Sequence, residues 1–256
     1  MLGKEYIDNL VERLRADGAF PEVRRFGHAV SFEDGWGLFT ALGAASVPGF
    51  RVTEGNAAAY AALVGWAVNA PFRCLDPDTG VEVEGDPRKG LYIAGNPGSG
   101  KTAAVRLLRL LLSEVGARYQ YGNDSVAMRW ADRTAAMVCE IYAQGGSLAP
   151  VQSDRVICVH DLGSEPRETL YMGNRHEVMR ELLELRGDTP GRFTILTSNL
   201  NFSTVRKVYG DRVWSRLHQM CNYVRLVDSD HRVGGLSKIS PSDALSAGWL
   251  RKPSIQ

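Results

Sequence analysis

Cysteine is scarce in this 256-residue sequence. The four residues, Cys74, Cys139, Cys158 and Cys221, lie far apart with no C-x-x-C pair. That spacing argues against a zinc ribbon or a disulfide scaffold and for free thiols in a reducing compartment. Long apolar runs are missing as well: nothing approaches the roughly 18 residues of a membrane span. The opening stretch, MLGKEYIDNLVERLRADG, carries acids where a signal peptide has its apolar centre. Neither sign of charge dominates, since 30 Lys+Arg face 29 Asp+Glu for a formal charge of +1. A general polyanion-binding surface is therefore excluded, and any nucleic-acid contact falls to a local cluster or to an assembly. Internal repeats and low-complexity runs are also lacking. The remaining mix, 44% hydrophobic and 23% charged, is that of a globular protein. A cytoplasmic chain with one large α/β domain and a small appendage is expected.

Apolar periodicity predicts an amphipathic helix over residues 4–16, ended at Gly18. Residues 19–50 are rich in glycine and aromatics, with a short helical candidate at 36–42, and residues 57–68 form a stronger helix. The turn-rich segment 76–90 leads into an apolar strand, 91–94. From there strands and helices alternate: helix 101–115, strand 118–121, a long helical stretch over 125–143, and strand 155–159. Helix 168–185, strand 193–197, short helices over 203–220 and a last strand, 223–227, complete the series. Strands separated by helices of this length imply right-handed crossovers and a parallel sheet covered on both faces.

Between the first of these strands and its helix stand Gly95, Asn96, Pro97, Gly98, Ser99, Gly100, Lys101 and Thr102. They match G-x-x-x-x-G-K-[ST] in full. Glycines let successive backbone N–H groups point into one concavity, which together with the helix N-terminus attracts phosphate. Lys101 reaches the β- and γ-phosphates and Thr102 holds Mg²⁺. Such a site needs an acid at the tip of a neighbouring apolar strand and a group that orients water. The strand 156–159 followed by His160, Asp161 and, further on, Glu165 offers the first. The strand 193–197, ending in Ser198 and Asn199, offers a polar residue beside the γ-phosphate.

With these motifs the sequence resembles the AAA+ ATPases, and within them the DnaC/IstB-like group of helicase loaders and transposition helpers. The residues carrying the resemblance are GNPGSGKT (95–102), HDLGSE (160–165), LTSNL (196–200) and YGDRVWSRL (209–217). The resemblance implies a P-loop NTPase (AAA+) parallel sheet flanked by helices, without a C-terminal helical lid, behind a small mainly helical N-terminal region. It implies a partner-docking region over 1–52, an ATPase core over 53–235 and a peripheral tail over 236–256. ATP or ADP with Mg²⁺ is the expected cofactor set. The expected partners are a replicative helicase or a transposase, with DNA bound through an ATP-dependent homo-oligomer and no membrane role. Arg216 falls at the position of the arginine that reaches a neighbouring subunit's nucleotide, with Arg212 as the alternative. The basic cluster Arg206, Lys207 and Arg212 serves that neighbour, a DNA strand, or only solvent. Residues 1–52, with six basic and seven acidic side chains, offer no electrostatic grip on DNA.

The sequence departs from the group's pattern at one position. Two acids in a row usually precede Leu-Gly or Ile-Gly there, and this chain has His160-Asp161. Histidine then stands on the metal side. Asp161 either becomes the water-orienting base or takes the metal role through water, leaving the base role to Glu165 or to none. Slow hydrolysis is expected, with an increase on His160→Asp. A nucleotide-gated interaction module with little hydrolysis is the reading from a different class, and a small-molecule kinase lacks both a phosphoacceptor site and a lid.

Overall fold

The computed structural model describes residues 3–16 and 23–227. The tail expected from 236, and the stretch after 227 that the expected absence of a lid concerns, lie outside the described residues. The chain opens with α1 (Lys4–Ala16), β1 (Val23–Phe26), α2 (Phe32–Ser46) and α3 (Glu54–Val68). A hairpin of β2 (Arg73–Leu75) and β3 (Glu82–Glu84) precedes β4 (Gly90–Ala94) and α4 (Lys101–Glu114). Next come β5 (Arg118–Tyr121), β6 (Asp124–Ala127), β7 (Asp132–Thr134), α5 (Ala135–Gly145) and α6 (Ala149–Gln152). The series closes with β8 (Val156–Leu162), β9 (Thr169–Tyr171), β10 (Asn174–His176), α7 (Val178–Gly187), β11 (Phe193–Ser198), α8 (Phe202–Met220) and β12 (Cys221–Arg225).

Seven strands form the main sheet in the order β3-β2-β12-β4-β11-β8-β7. The five from β12 to β7 are parallel, and the β2–β3 hairpin adds antiparallel strands at one edge. Strands β4, β8 and β11 are buried nearly throughout, which is why they read as unbroken apolar runs. Alternate side chains feed two cores. Leu91, Ile93, Val156, Cys158 and Ile195 pack with α2, α3 and α4, while Tyr92, Ile157, Val159 and Leu196 pack with α5, α7 and α8. Helix α3 is apolar all round, and 11 of its residues are buried, as a helix wedged inside a core requires.

Several expected elements differ from those found. Strand β5 has the expected bounds but leaves the main sheet, pairing antiparallel with β1 and β6. The helical stretch expected over 125–143 is β6, β7 and then α5. The helix expected over 168–185 begins with the β9–β10 hairpin, so only 178–187 are helical. In both places short exposed strands of mixed polarity carry no period of their own. Periodicity alone therefore merges them with the helices that follow. The helical candidate at 36–42 extends to all of α2, whose Phe32, Trp36 and Phe39 enter the core beside α3 and α4. Packing therefore runs continuously across the boundary expected at 52/53.

Arg186 is the one charged group sunk completely into the described core, at 2% exposure. Its Nε donates to Thr194 Oγ1 at 2.8 Å, and its terminal nitrogens donate to Asp154 O at 2.8 Å and Phe193 O at 2.7 Å. One guanidinium thus ties the end of α7 to the start of β11 and to the approach to β8. Burial, reinforced by Arg192, lowers its pKa to about 10, so it stays charged at neutral pH. Arg186→Met should strand three buried acceptors and cost about 3 kcal/mol of unfolding free energy. Urea denaturation checks this, and a loss below about 1 kcal/mol would mean that the acceptors find other partners.

Candidate functional site

Strand β4 releases the chain into the 95–100 loop at the C-terminal edge of the parallel sheet, where α/β folds place their ligands. Gly95 is required there: an added Cβ would stand 2.5 Å from Leu226 O and 2.6 Å from Ser99 Oγ. Gly95 N–H donates to Ser198 O, which fastens the loop to the end of β11. Gly100 caps α4 from the left-handed region, φ 85, with no side chain bonded to the first turn. The opening N–H groups of α4 are thus left for an anion. Ser99 is buried in the loop, and its Oγ has no hydrogen-bond partner among the described residues. Asn96, Pro97, Gly98 and Thr102 are exposed. These are the features of a phosphate cradle, and they fit a nucleotide with Mg²⁺.

Lys101 closes this loop. Its Nζ donates to Gly95 O at 2.8 Å, Asn96 O at 2.9 Å and Asn199 Oδ1 at 2.8 Å. Asn199, expected beside the γ-phosphate, is thus bonded directly to the loop lysine. Burial pushes the Lys101 pKa down, and the nearby charge of Asp161 pushes it part of the way back.

Asp161 reaches this position through an irregularity between β8 and β11. The register pairs Leu196 with Val159 and then Ser198 with Leu162, so His160 and Asp161 oppose Thr197 alone. Such a bulge re-aims side chains next to a site. Asp161 adopts φ 57, its N–H donates to Thr197 Oγ1 at 3.1 Å, and its carbonyl accepts from Ser164 N and Oγ.

His160 is buried and turned to the α4 face. Its Nδ1 lies 3.3 Å from Thr197 Oγ1, and its Nε2 lies 3.2 Å from Asp132 Oδ1 and 3.5 Å from Cys158 Sγ. Asp132, on β7, also accepts from Trp130 Nε1 and pairs with Arg109 of α4. Burial holds the Cys158 thiol well above its ordinary pKa, with Asp132 adding to the effect and Arg109 opposing it. Sequence reasoning missed Asp132, because a three-residue strand leaves no pattern, and Thr197, whose role depends on a register shift.

Glu165 is tethered: its carboxylate accepts from Gly163 N at 2.8 Å and from the Tyr209 hydroxyl. Burial and that carboxylate raise the Tyr209 pKa, which keeps the phenol a neutral donor. Arg216 sits elsewhere. It pairs with Asp188 and donates to Gln219 Oε1, while Arg212 pairs with Glu184 and Asp188. Arg206 stacks over the Trp214 ring and pairs with Asp211. Asp188 follows α7, before β11 begins, and Arg216 lies one turn before β12 begins. Both therefore lie at the N-terminal edge of the sheet, opposite the phosphate loop.

The strand order, the glycine-rich loop leaving a central strand and the acid at the tip of β8 match the P-loop NTPase arrangement. No family model and no curated protein matches the chain. Among solved structures, one described as "Crystal structure of the DnaC helicase loader" matches at 21% identity and a TM-score of 0.36. The match covers 56% of this chain and 81% of that one, an overlay too loose to add to the strand order and the site residues.

The His160 contacts reverse one expected outcome. His160→Asp would set a second carboxylate beside Asp132 in a buried position, rather than restore a metal-side acid. It should destabilise the fold by about 2–4 kcal/mol, and Asp132→Asn in the same chain should recover part of that loss. Thermal unfolding of the single and double variants checks this. A stable His160→Asp protein with faster ATP turnover would overturn it.

Proposed function

We propose that this chain is an ATP- and ADP-binding P-loop protein that uses Mg²⁺. We further propose that it acts as a DnaC-like helicase loader or as a helper in DNA replication or mobile-element movement. The observation that carries the nucleotide reading is Lys101, held between two loop carbonyls and Asn199, where phosphate oxygens would replace the carbonyls. The bound nucleotide would supply the phosphoanhydride, and Mg²⁺ the charge neutralisation between its oxygens. Thr102 and, through water, Asp161 would hold the metal, and the uncapped turn of α4 would receive phosphate. Asn199 would stay beside the γ-phosphate as Lys101 turns to it.

The loader reading rests on the 160–165, 196–200 and 209–217 motifs. On that reading the ATP-bound form assembles with copies of itself, a replicative helicase and DNA, in the cytoplasm. An IstB-like transposase partner is the alternative within the same group. A nucleotide-gated module with little hydrolysis is favoured by two contacts: His160 is committed to Asp132 and Thr197, and Glu165 to Tyr209. Only Asp161 is then left to serve both metal and water, so turnover should be slow.

Lys101→Ala should weaken Mg-ATP binding by roughly a hundredfold, or about 3 kcal/mol, in equilibrium titration with a fluorescent nucleotide. Unchanged affinity would place the nucleotide site elsewhere. Arg216→Ala tests assembly. Its pairs are surface ones worth at most about 1 kcal/mol, so the monomer should stay folded and bind nucleotide. ATP-dependent assembly and turnover should be lost, and mixing with Lys101→Ala protein should restore part of the turnover. No restoration at any ratio, with assembly intact, would leave Arg216 a structural residue.

A further inference from the structure

The cluster formed by Cys158, His160 and Asp132 has a property that the nucleotide reading does not use. His160 Nε2 lies 3.5 Å from Cys158 Sγ and 3.2 Å from Asp132 Oδ1, and the three donor atoms all lie within 4.8 Å of one another. We propose that these three side chains form a binding site for a thiophilic divalent cation, zinc in the first instance, separate from the Mg²⁺ position at Thr102.

The spacing carries the argument. Tetrahedral zinc with N and O ligands near 2.0–2.1 Å and S near 2.3 Å sets N and S about 3.6 Å apart and N and O about 3.4 Å apart. Both observed separations agree with these within about 0.2 Å, the tolerance expected of such a site. The third pair, Cys158 Sγ and Asp132 Oδ1, lies within 4.8 Å, so the three donors already face a common point. A cation would displace the thiol proton to solvent and occupy the Nε2 lone pair, which places the ring proton on Nδ1. That nitrogen already faces Thr197 Oγ1 at 3.3 Å, the oriented second contact that a ligating histidine requires.

The surroundings fit the same cation. Cys158 is fully buried and His160 nearly so, which gives the site dry walls on the α4 side. The Asp132 side chain, 37% exposed on the edge strand, opens it to solvent and leaves a fourth position for water. Arg109 takes Asp132 Oδ2 and Trp130 donates to Oδ1, so the carboxylate is held in place before any ion arrives. A set of one sulfur, one imidazole and one carboxylate suits zinc and disfavours Mg²⁺, which prefers an octahedron of oxygens. Thr197 also holds the Asp161 N–H. The cation would therefore brace the tip of β8 without touching nucleotide.

The test uses the full chain, freed of metal by a chelator and titrated with Co²⁺ in excess Mg²⁺ without nucleotide. One Co²⁺ per chain should bind with a thiolate-to-cobalt charge-transfer band and tetrahedral d–d absorption, both bleached by an equivalent of Zn²⁺. Cys158→Ser should abolish the charge-transfer band, and Asp132→Asn should weaken binding at least tenfold. Should the buried serine variant fail to fold, His160→Gln and the edge-strand Asp132→Asn carry the comparison. A folded wild-type chain with no charge-transfer band overturns the proposal. So does a band that survives Cys158→Ser, which places the ion on another cysteine, or binding that Asp132→Asn leaves unchanged, which removes the carboxylate from the site. Because the readout is metal binding, failure here leaves the nucleotide reading untouched, and loss of nucleotide binding in Lys101→Ala leaves this one untouched.

Discussion

A single buried hydroxyl governs the phosphate end of the molecule. Thr197 stands alone on β11 opposite two residues of β8, and its Oγ1 accepts the Asp161 N–H while facing His160 Nδ1. Without that acceptor the Asp161 N–H would be left unpaired where the ladder breaks. Holding a non-glycine residue at φ 57 costs on the order of 1 kcal/mol, and aspartate is among the residues that tolerate it best. Asp161 thereby leaves the line of the strand and brings its charge to Lys101. The same hydroxyl orients the His160 ring. The acid near the phosphate loop and the imidazole beside Cys158 thus share one anchor.

Much of this could be read in the sequence because burial on both faces turns a parallel strand into an apolar run. Strands β4, β8 and β11 were legible for that reason, and the loop between Gly95 and Thr102 was legible from the spacing of its glycines ahead of Lys101. Legibility fails where an element is short and half wet. Strands β7, β9 and β10 have three residues each and an exposed or mixed burial pattern, so no period of two can emerge before a helix begins. Asp132 was hidden by this. Partner choice fails for a different reason. The alternating tyrosines of Arg118–Tyr121 suit a strand, but nothing local says that it pairs with Val23–Phe26 rather than joining the main sheet. The Glu165–Tyr209 bond spans 44 residues and belongs to the same class of non-local facts.

That bond also bears on what His160-Asp161 can do. The Glu165 carboxylate accepts from its own loop and from the Tyr209 phenol, so both of its oxygens are already engaged. Glu165 thereby ties the loop after β8 to Tyr209 of α8. Asp161 accepts no side-chain donor of comparable strength in its described contacts, and it lies close enough to Lys101 to affect its titration. Of the two acids offered by the sequence, Asp161 is the one whose charge reaches Lys101, and Glu165 is the one held by its own loop and by Tyr209.

The remaining constraint is one of distance. Strands β4 and β12 run parallel in register, Gly90 beside Cys221 and Ala94 beside Arg225. The phosphate loop leaves the far end of β4, while Arg216 precedes the near end of β12 by one helical turn. Five residues of strand at about 3.3 Å each put some 16 Å between those ends before either side chain is counted. An arginine side chain cannot close that gap within one chain. Arg216 therefore has two roles open to it, the pair with Asp188 or a phosphate presented by a neighbouring molecule at that edge. Tyr209 lies on the same helix, just before the break at Gly210, φ 86, and is bonded to Glu165 in the loop after β8. Helix α8 thus joins the loop that follows β8, through Tyr209, to the opposite edge of the sheet, where it carries Arg216.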